Sequence, residues 1–308
     1  MSWTFGSIAV VGAGAVGLYY GARLAAAGGD VRFLLRSDYD AIKADGIRLE
    51  SVAGDLHLQE VQAFRTPQEI GPVDLVIIAW KATSNHLLAE VLPPLLHPGT
   101  QVLTLQNGLG NCERIAEITG PERVLGALCF VCLNRLGHGF VSHTAGGRLS
   151  IGEFANDKRQ RAAEIARRFA AAGVPADAAD SLAAAQWKKL VWNIPFNGLA
   201  IAEGGVTTED LLKNPAIEAE IRALMAEVIA AARAQGLGLE DSLIEFNVER
   251  TRPMGPYRPS SMIDYVEGRE VEYESIWADP LRRAQAAGAP MPHLAALAER
   301  IRERLAGS

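Results

Sequence analysis

Lys189, Asn193 and Asn197 stand four residues apart, so a helix would carry one ammonium and two carboxamides on a single face, within about 80° of arc. Trp187, Leu190, Val191, Ile194 and Phe196 surround that stripe with apolar bulk. The polar groups are therefore expected to look into a partly buried cavity, because a buried polar stripe is costly unless something hydrogen-bonds it. The plain alternative is an exposed helix edge. Pro195 lacks the N–H that would bond the Val191 carbonyl, which leaves the helical register after Asn193 open.

A second constellation lies at the start of the chain, where the apolar run Ile8 to Val11 leads into Gly12-Ala13-Gly14-Ala15-Val16-Gly17. This GxGxxG turn is a phosphate cradle. Gly12 allows the sharp exit from a strand, Gly14 lets backbone approach a pyrophosphate, and Gly17 lets the following helix pack closely. The helix N-terminus adds unpaired N–H groups and a positive dipole end. At the end of the next strand an acidic residue would mark NAD; the chain has Leu34-Leu35-Arg36 there, and Asp30 lies at the strand's other end. Arg36 can pair with a 2′-phosphate, so NADP is the expected coenzyme, the alternative being an arginine in a solvated loop.

Two further polar clusters follow apolar strands. Trp80-Lys81 follows Val73 to Ala79, and Gln106-Asn107-Gly108 follows Gln101 to Leu105. A lysine at the first could hold cofactor phosphate or the adenosine end, and an amide at the second could bond the nicotinamide or a substrate; a polar loop boundary with a turn glycine is equally compatible.

The elements that must position these residues alternate strand and helix through the first half. The helix Ala15 to Ala27, stopped by Gly28-Gly29, precedes a strand from Val31 to Leu35. Short alternating runs at Gly46 to Glu50 and Asp55 to Val61 come next. Helical Ser84 to Leu95, a strand Gln101 to Leu105, helical Gly110 to Ile118 and a strand around Leu125 to Leu133 complete an α/β doubly wound parallel sheet of Rossmann type. A Gly-rich, hairpin-like pair, Phe140 to His143 and Arg148 to Gly152, leads to a helix Asp157 to Ala172. From about residue 181 the apolar period becomes helical, strongest at Pro215 to Gln235 and again at Pro292 to Leu305. The expected organisation is a dinucleotide-binding domain over 1–180 and an all-helical C-terminal domain over 181–308, with the site in a cleft between them.

With 308 residues, 49% of them hydrophobic, the chain can bury ample core. A net charge of −6 without any clustered Lys/Arg tract argues against nucleic acid or an anionic membrane as partner. The uncharged stretch Ile8 to Ala22 has no basic run before it and is cut by Arg23 short of the roughly 20 residues of a membrane span, so the chain reads as soluble and cytoplasmic. Cys112, Cys129 and Cys132 are an odd count. Cys129 and Cys132 make a CxxC, yet within an apolar strand they read as buried small hydrophobes, and no zinc site is completed, so no metal is expected.

In its motifs the chain resembles the ketopantoate reductase (2-dehydropantoate 2-reductase) family nearly end to end. The pieces are GAGAVGLYYGARLAAAG at 12–28, VIIAWKA at 76–82, LQNGLGNCE at 105–113, GFVSHTAGGRLSIGE at 139–153, WKKLVWNIPFNGL at 187–199 and PSSM at 259–262. The resemblance implies Lys189 as proton donor to the substrate oxygen, and Asn193, Asn197 and Ser261 as binders of the substrate's hydroxyl and carboxylate groups. It further implies Asn107 in contact with cofactor and substrate, Lys81 on the cofactor, and Cys132 behind the nicotinamide. These roles are chemically coherent: hydride arriving at a ketone carbon leaves negative charge on oxygen, and a nearby ammonium stabilises that charge and donates a proton.

The chain departs from the family after SSM, where GREVEYESIWADP replaces the usual Thr-Glu-Ile-Asp stretch and its Asn-Gly. Counting back from Gly288-Ala289-Pro290 places the active-site carboxylate at Glu272, with Glu270 competing, and puts Trp277-Ala278 in place of Asn-Gly. The expected activity is NADPH-dependent reduction of a small 2-oxo acid, ketopantoate first among candidates and a step toward pantothenate. A different branched 2-oxo acid is the alternative, as is a non-catalytic NADP(H)-binding sensor. A homodimer is left open as the assembly.

Overall fold

The computed structural model describes residues 6–155 and 160–307. They form two compact units: residues 6–106 with 111–182, and residues 107–110 with 183–307. The four-residue loop 107–110 thus belongs with the helices, an exchange that a single cut at 181 does not describe.

The first unit is built on one ten-stranded sheet: β1 Ile8–Val11, β2 Val31–Leu34, β3 Ile47–Ser51, β4 Leu56–Leu58, β5 Gln62–Phe64, β6 Leu75–Ile78, β7 Gln101–Thr104, β8 Val124–Gly137, β9 Phe140–Glu153 and β10 Ala176–Ala178. The strands run β4-β3-β9-β8-β7-β6-β1-β2-β5, with β10 on β9. From β5 to β8 every neighbour is parallel, and the order β5-β2-β1-β6-β7-β8 is the doubly wound Rossmann order. β1 and β6 are buried at all four positions, which is why they read as unbroken apolar runs. Strand order reverses between β1 and β6, at whose carboxyl ends Gly12 and Trp80 stand.

Two elements differ from the sequence reading. In place of a helix over 84–95 the chain makes a 3-10 turn Ala82–Leu87, a single α turn Leu88–Val91 and another 3-10 turn Pro93–Leu95; the α turn stops where Pro93 and Pro94 supply no N–H to continue it. The expected hairpin-like pair at 140–152 is instead one strand, β9, antiparallel to β8 along its length. The glycines there do not turn the chain; Gly146 pairs Val131, Arg148 pairs Phe130, and Gly147 is the extra residue of a bulge. The helix expected from Asp157 runs Arg161–Ala171, and its expected start lies outside the described residues.

The second unit is helical, chiefly Leu182–Ala202, Pro215–Ala234, Ser242–Thr251, Ser260–Val266, Asp279–Ala286 and Pro292–Ala306. Its core gathers Trp187, Leu190, Val191, Ile194 and Phe196, all at most 2% exposed, with Leu224, Met225, Val228 and Trp277. Among the described residues no helix is long and apolar enough to cross a membrane.

Candidate active site

At the end of β1 the backbone turns at Gly12 with φ +106°, and a Cβ there would lie 2.4 Å from the Trp80 backbone nitrogen. Only glycine fits both constraints. A Cβ at Gly17 would lie 2.0 Å from the Gly12 carbonyl oxygen, so the helix Ala15–Ala26 starts hard against the turn. Gly14 is the opposite case: nothing lies within 4 Å of where its Cβ would be, and φ is an ordinary −72°. As N-cap it offers no side chain to the first-turn N–H groups, and that turn holds no acidic residue. Open space over an uncapped helix start fits a bound pyrophosphate, which would fill the room at Gly14 and accept from those donors.

Arg36 is exposed just past β2, and no ion pair or side-chain hydrogen bond engages its guanidinium among the described residues. Two residues on, Asp38 is 2% exposed and accepts from His138 Nδ1 at 2.7 Å, and it is paired with Arg135. Burial alone would push the Asp38 carboxyl up; the His138 hydrogen bond and the Arg135 charge outweigh it and hold the group below its usual range. The loop carrying Arg36 is thereby pinned to the β8–β9 turn while Arg36 itself stays available.

The carboxyl ends of β6 and β7 are tied by a hub that sequence reading missed. Asn85 accepts from Trp80 Nε1 at 3.2 Å and from Gln106 Nε2 at 2.7 Å, and donates to Asn111 Oδ1 at 2.8 Å. Gln106 Oε1 in turn accepts from Thr104 Oγ1 at 2.9 Å. Asn85, Gln106 and Asn111 are all at least nine-tenths buried, and with Trp80 they fix the residues next to Lys81 and Asn107. Lys81 is half-buried at the start of the 3-10 turn Ala82–Leu87. Cys132 is half-buried on β8; like Cys112 and Cys129 it forms no disulfide with a described residue, and the described residues contain no cluster suited to a metal.

In the helical unit Lys189 Nζ donates to Asn107 Oδ1 at 2.7 Å. The helix Leu182–Ala202 continues through Pro195, so Lys189, Asn193 and Asn197 do share a face. Asn197 Nδ2 donates to the Asn193 carbonyl at 3.1 Å, and its Oδ1 accepts from the Ser261 backbone N–H at 2.9 Å. Asn197 therefore fastens the start of helix Ser260–Val266 to the lysine helix, which leaves its amide one N–H and one lone pair. By contrast the Asn193 amide and the Ser261 hydroxyl bond no described residue, although these residues are only 8% and 2% exposed. Such groups keep donors and acceptors that a ligand could complete. Glu272 is buried and Glu270 exposed, which separates the two candidate carboxylates. Trp277, fully buried, donates from Nε1 to the Ile194 carbonyl at 3.1 Å, and a Cβ on Gly198 would come within 2.8 Å of that nitrogen. The residue that departs from the family pattern thus packs behind the lysine helix.

Comparison with known proteins gives a consistent set of relatives. The family described as Ketopantoate reductase PanE/ApbA matches residues 8–156, and its C-terminal counterpart matches residues 181–305. A 2-dehydropantoate 2-reductase of Nostoc sp. is 40% identical over 299 residues, spanning 96% of this chain and 93% of that protein. The crystal structure of a 2-dehydropantoate 2-reductase from Geobacter metallireducens superposes with a TM-score of 0.94 at 44% identity, covering 96% of this chain and 99% of the other. One from Methylococcus capsulatus gives 0.89 at 31% identity, with 96% of each chain covered.

Proposed function

Because this chain belongs to the ketopantoate reductase family, oxidoreductases that act on CH–OH groups, we propose that it reduces a small 2-oxo acid to the 2-hydroxy acid with NADPH. The relatives named 2-dehydropantoate 2-reductase put 2-dehydropantoate first among substrates, with pantoate as product. In this reading the sheet unit holds the coenzyme, with Gly12 to Gly17 at the pyrophosphate, Arg36 at the 2′-phosphate and Lys81 and Cys132 along its length. The helical unit holds the acid.

Bound NADPH supplies the hydride. Lys189 supplies the proton: its ammonium, aimed by Asn107 Oδ1 at 2.7 Å, meets the negative charge that develops on the ketone oxygen and neutralises it. Asn193 and Ser261 accept or donate to the substrate's hydroxyl and carboxylate, and Asn197 holds Ser261 in register with Asn193. Glu272, buried in the same unit, orients the ammonium and the substrate hydroxyl. The observation that carries the reading is the conjunction, in one helical unit, of the Lys189–Asn107 contact with two buried residues, Asn193 and Ser261, whose side chains bond no other described residue.

The test is oxidation of NADPH, followed at 340 nm, against a panel of 2-oxo acids including 2-dehydropantoate. Turnover of at least one branched or hydroxylated 2-oxo acid is expected. Tight NADPH binding by folded protein without turnover of any panel member would turn the reading to a coenzyme sensor. Preference for a different 2-oxo acid would keep the reaction class and displace 2-dehydropantoate as the first substrate.

A further inference from the structure

One turn of the helical unit is wound too wide: Glu274–Ala278 is a π-helix turn, in which Asp279 N–H bonds the Glu274 carbonyl, five residues back. In an α-helix that N–H would go to the Ser275 carbonyl. The next residue that could serve Ser275 in the wider winding is Pro280, which has no N–H. The Ser275 carbonyl is thereby released from its own helix. It accepts instead from the Leu109 backbone N–H at 2.9 Å.

That bond draws the loop 107–110 onto the turn. Gly108 sits at φ +82°, and a Cβ on it would lie 2.2 Å from the Ser275 carbonyl oxygen and 2.8 Å from the Ser275 Cβ. No side chain can be placed there without moving the loop. Leu109, only 3% exposed, belongs to the helical core, and Asn107 is left projecting its Oδ1 at Lys189 Nζ. The same turn fixes two more participants. Glu272 stands two residues before it, its carbonyl accepting from Ile276 N–H at 3.2 Å, and Trp277, inside the turn, is bonded to Ile194 of the lysine helix.

We infer that this π-turn, with Gly108 and Pro280, is a positioning device for the proton donor: the carbonyl it releases holds Asn107 to the helical unit, so that this acceptor of the Lys189 ammonium stays with the lysine. Ser275, Gly108 and Pro280 touch neither substrate nor coenzyme in this scheme and act through Asn107. The inference rests on the assignment of Lys189 and Asn107 proposed above.

The experiment is a double-mutant cycle on the full chain, reading kcat, the KM of the 2-oxo acid and the NADPH Kd for wild type, Gly108→Ala, Asn107→Ala and the double variant, with the thermal midpoint of each. An added Cβ forces the loop back by about 1 Å, a displacement on the scale that costs on the order of 10²-fold in rate. Gly108→Ala is expected to lose about that factor in kcat while its NADPH Kd shifts no further than that of Asn107→Ala. In the Asn107→Ala background it is expected to change kcat little, since the group it misplaces is already gone. Pro280→Ala, which offers Ser275 an N–H of its own and adds no bulk, is expected to lower kcat several-fold with the same non-additivity, and decides the matter if Gly108→Ala does not fold. Full, additive losses with Asn107→Ala, or wild-type kcat in either single variant, would overturn the inference. Absence of turnover by wild type against every 2-oxo acid would instead remove the reading on which it rests.

Discussion

Gly14→Ala isolates the coenzyme from the fold. The position has an ordinary φ of −72° and no protein atom within 4 Å of the new Cβ, so the substitution creates neither strain nor clash in the protein itself. Two small terms act on stability: alanine is a poorer N-cap than glycine, and it restricts the unfolded chain; they oppose each other at about 0.5–1 kcal/mol each. The thermal midpoint without coenzyme should then move by no more than about 3 °C. A pyrophosphate seated against Gly14 would meet the added methyl, at an overpacking cost of about 1–3 kcal/mol. That corresponds to roughly 5- to 150-fold in Kd. Titration of NADPH by fluorescence, paired with melts with and without NADPH, reads both effects. Gly12→Ala is the contrast: a positive φ of +106° and a Cβ 2.4 Å from Trp80 N predict loss of stability even without coenzyme. An unchanged NADPH Kd in Gly14→Ala would refute the cradle, because the open room would then have no pyrophosphate in it.

Other expectations follow from single groups. Arg36→Ala removes a charge-assisted contact worth about 1.5–3 kcal/mol, so NADPH should weaken roughly 10- to 150-fold while NADH changes little; equal loss for both coenzymes would show that Arg36 does not read the phosphate. Asp38, held low in the folded state by His138 and Arg135 against its burial, contributes stability that is complete above its unfolded pKa of about 3.9 and fades as pH falls through the lower folded value. Asp38→Asn should therefore destabilise the protein at pH 7 by about 1–3 kcal/mol and flatten the acid side of its stability profile, as read by denaturant melts from pH 7 to pH 3; parallel profiles for the two proteins would contradict this.

What the sequence makes legible here is what short-range sterics and periodicity control. The glycine turn could be read because each of Gly12, Gly14 and Gly17 answers a local demand, and the Lys189-Asn193-Asn197 stripe because four-residue spacing on a helix needs no tertiary information. The Rossmann order follows from alternating strands and helices in the same way. The helix expected at 84–95 failed because its apolar spacing hid two prolines' missing donors. The bulge at Gly147 looks like a turn in the sequence because both use glycine at positive φ. The Asn85 hub was invisible since its partners Gln106 and Asn111 lie 21 and 26 residues away. Likewise nothing local in Glu274 to Ala278 announces a wide turn; its consequence emerges only when Ser275 is found bonded to Leu109. The assignment of loop 107–110 to the helical unit, through a contact spanning 82 residues between Asn107 and Lys189, escapes any linear division of the chain.

The most direct test of the account is the turnover of Lys189→Ala on whichever 2-oxo acid the wild type reduces fastest, measured beside its NADPH Kd. The result predicted is a fall in kcat of about 10²- to 10⁴-fold, the usual size of a general-acid contribution, with coenzyme binding within a few-fold of wild type. Turnover at the wild-type rate would contradict the account, since no ammonium at residue 189 would then be meeting the ketone oxygen.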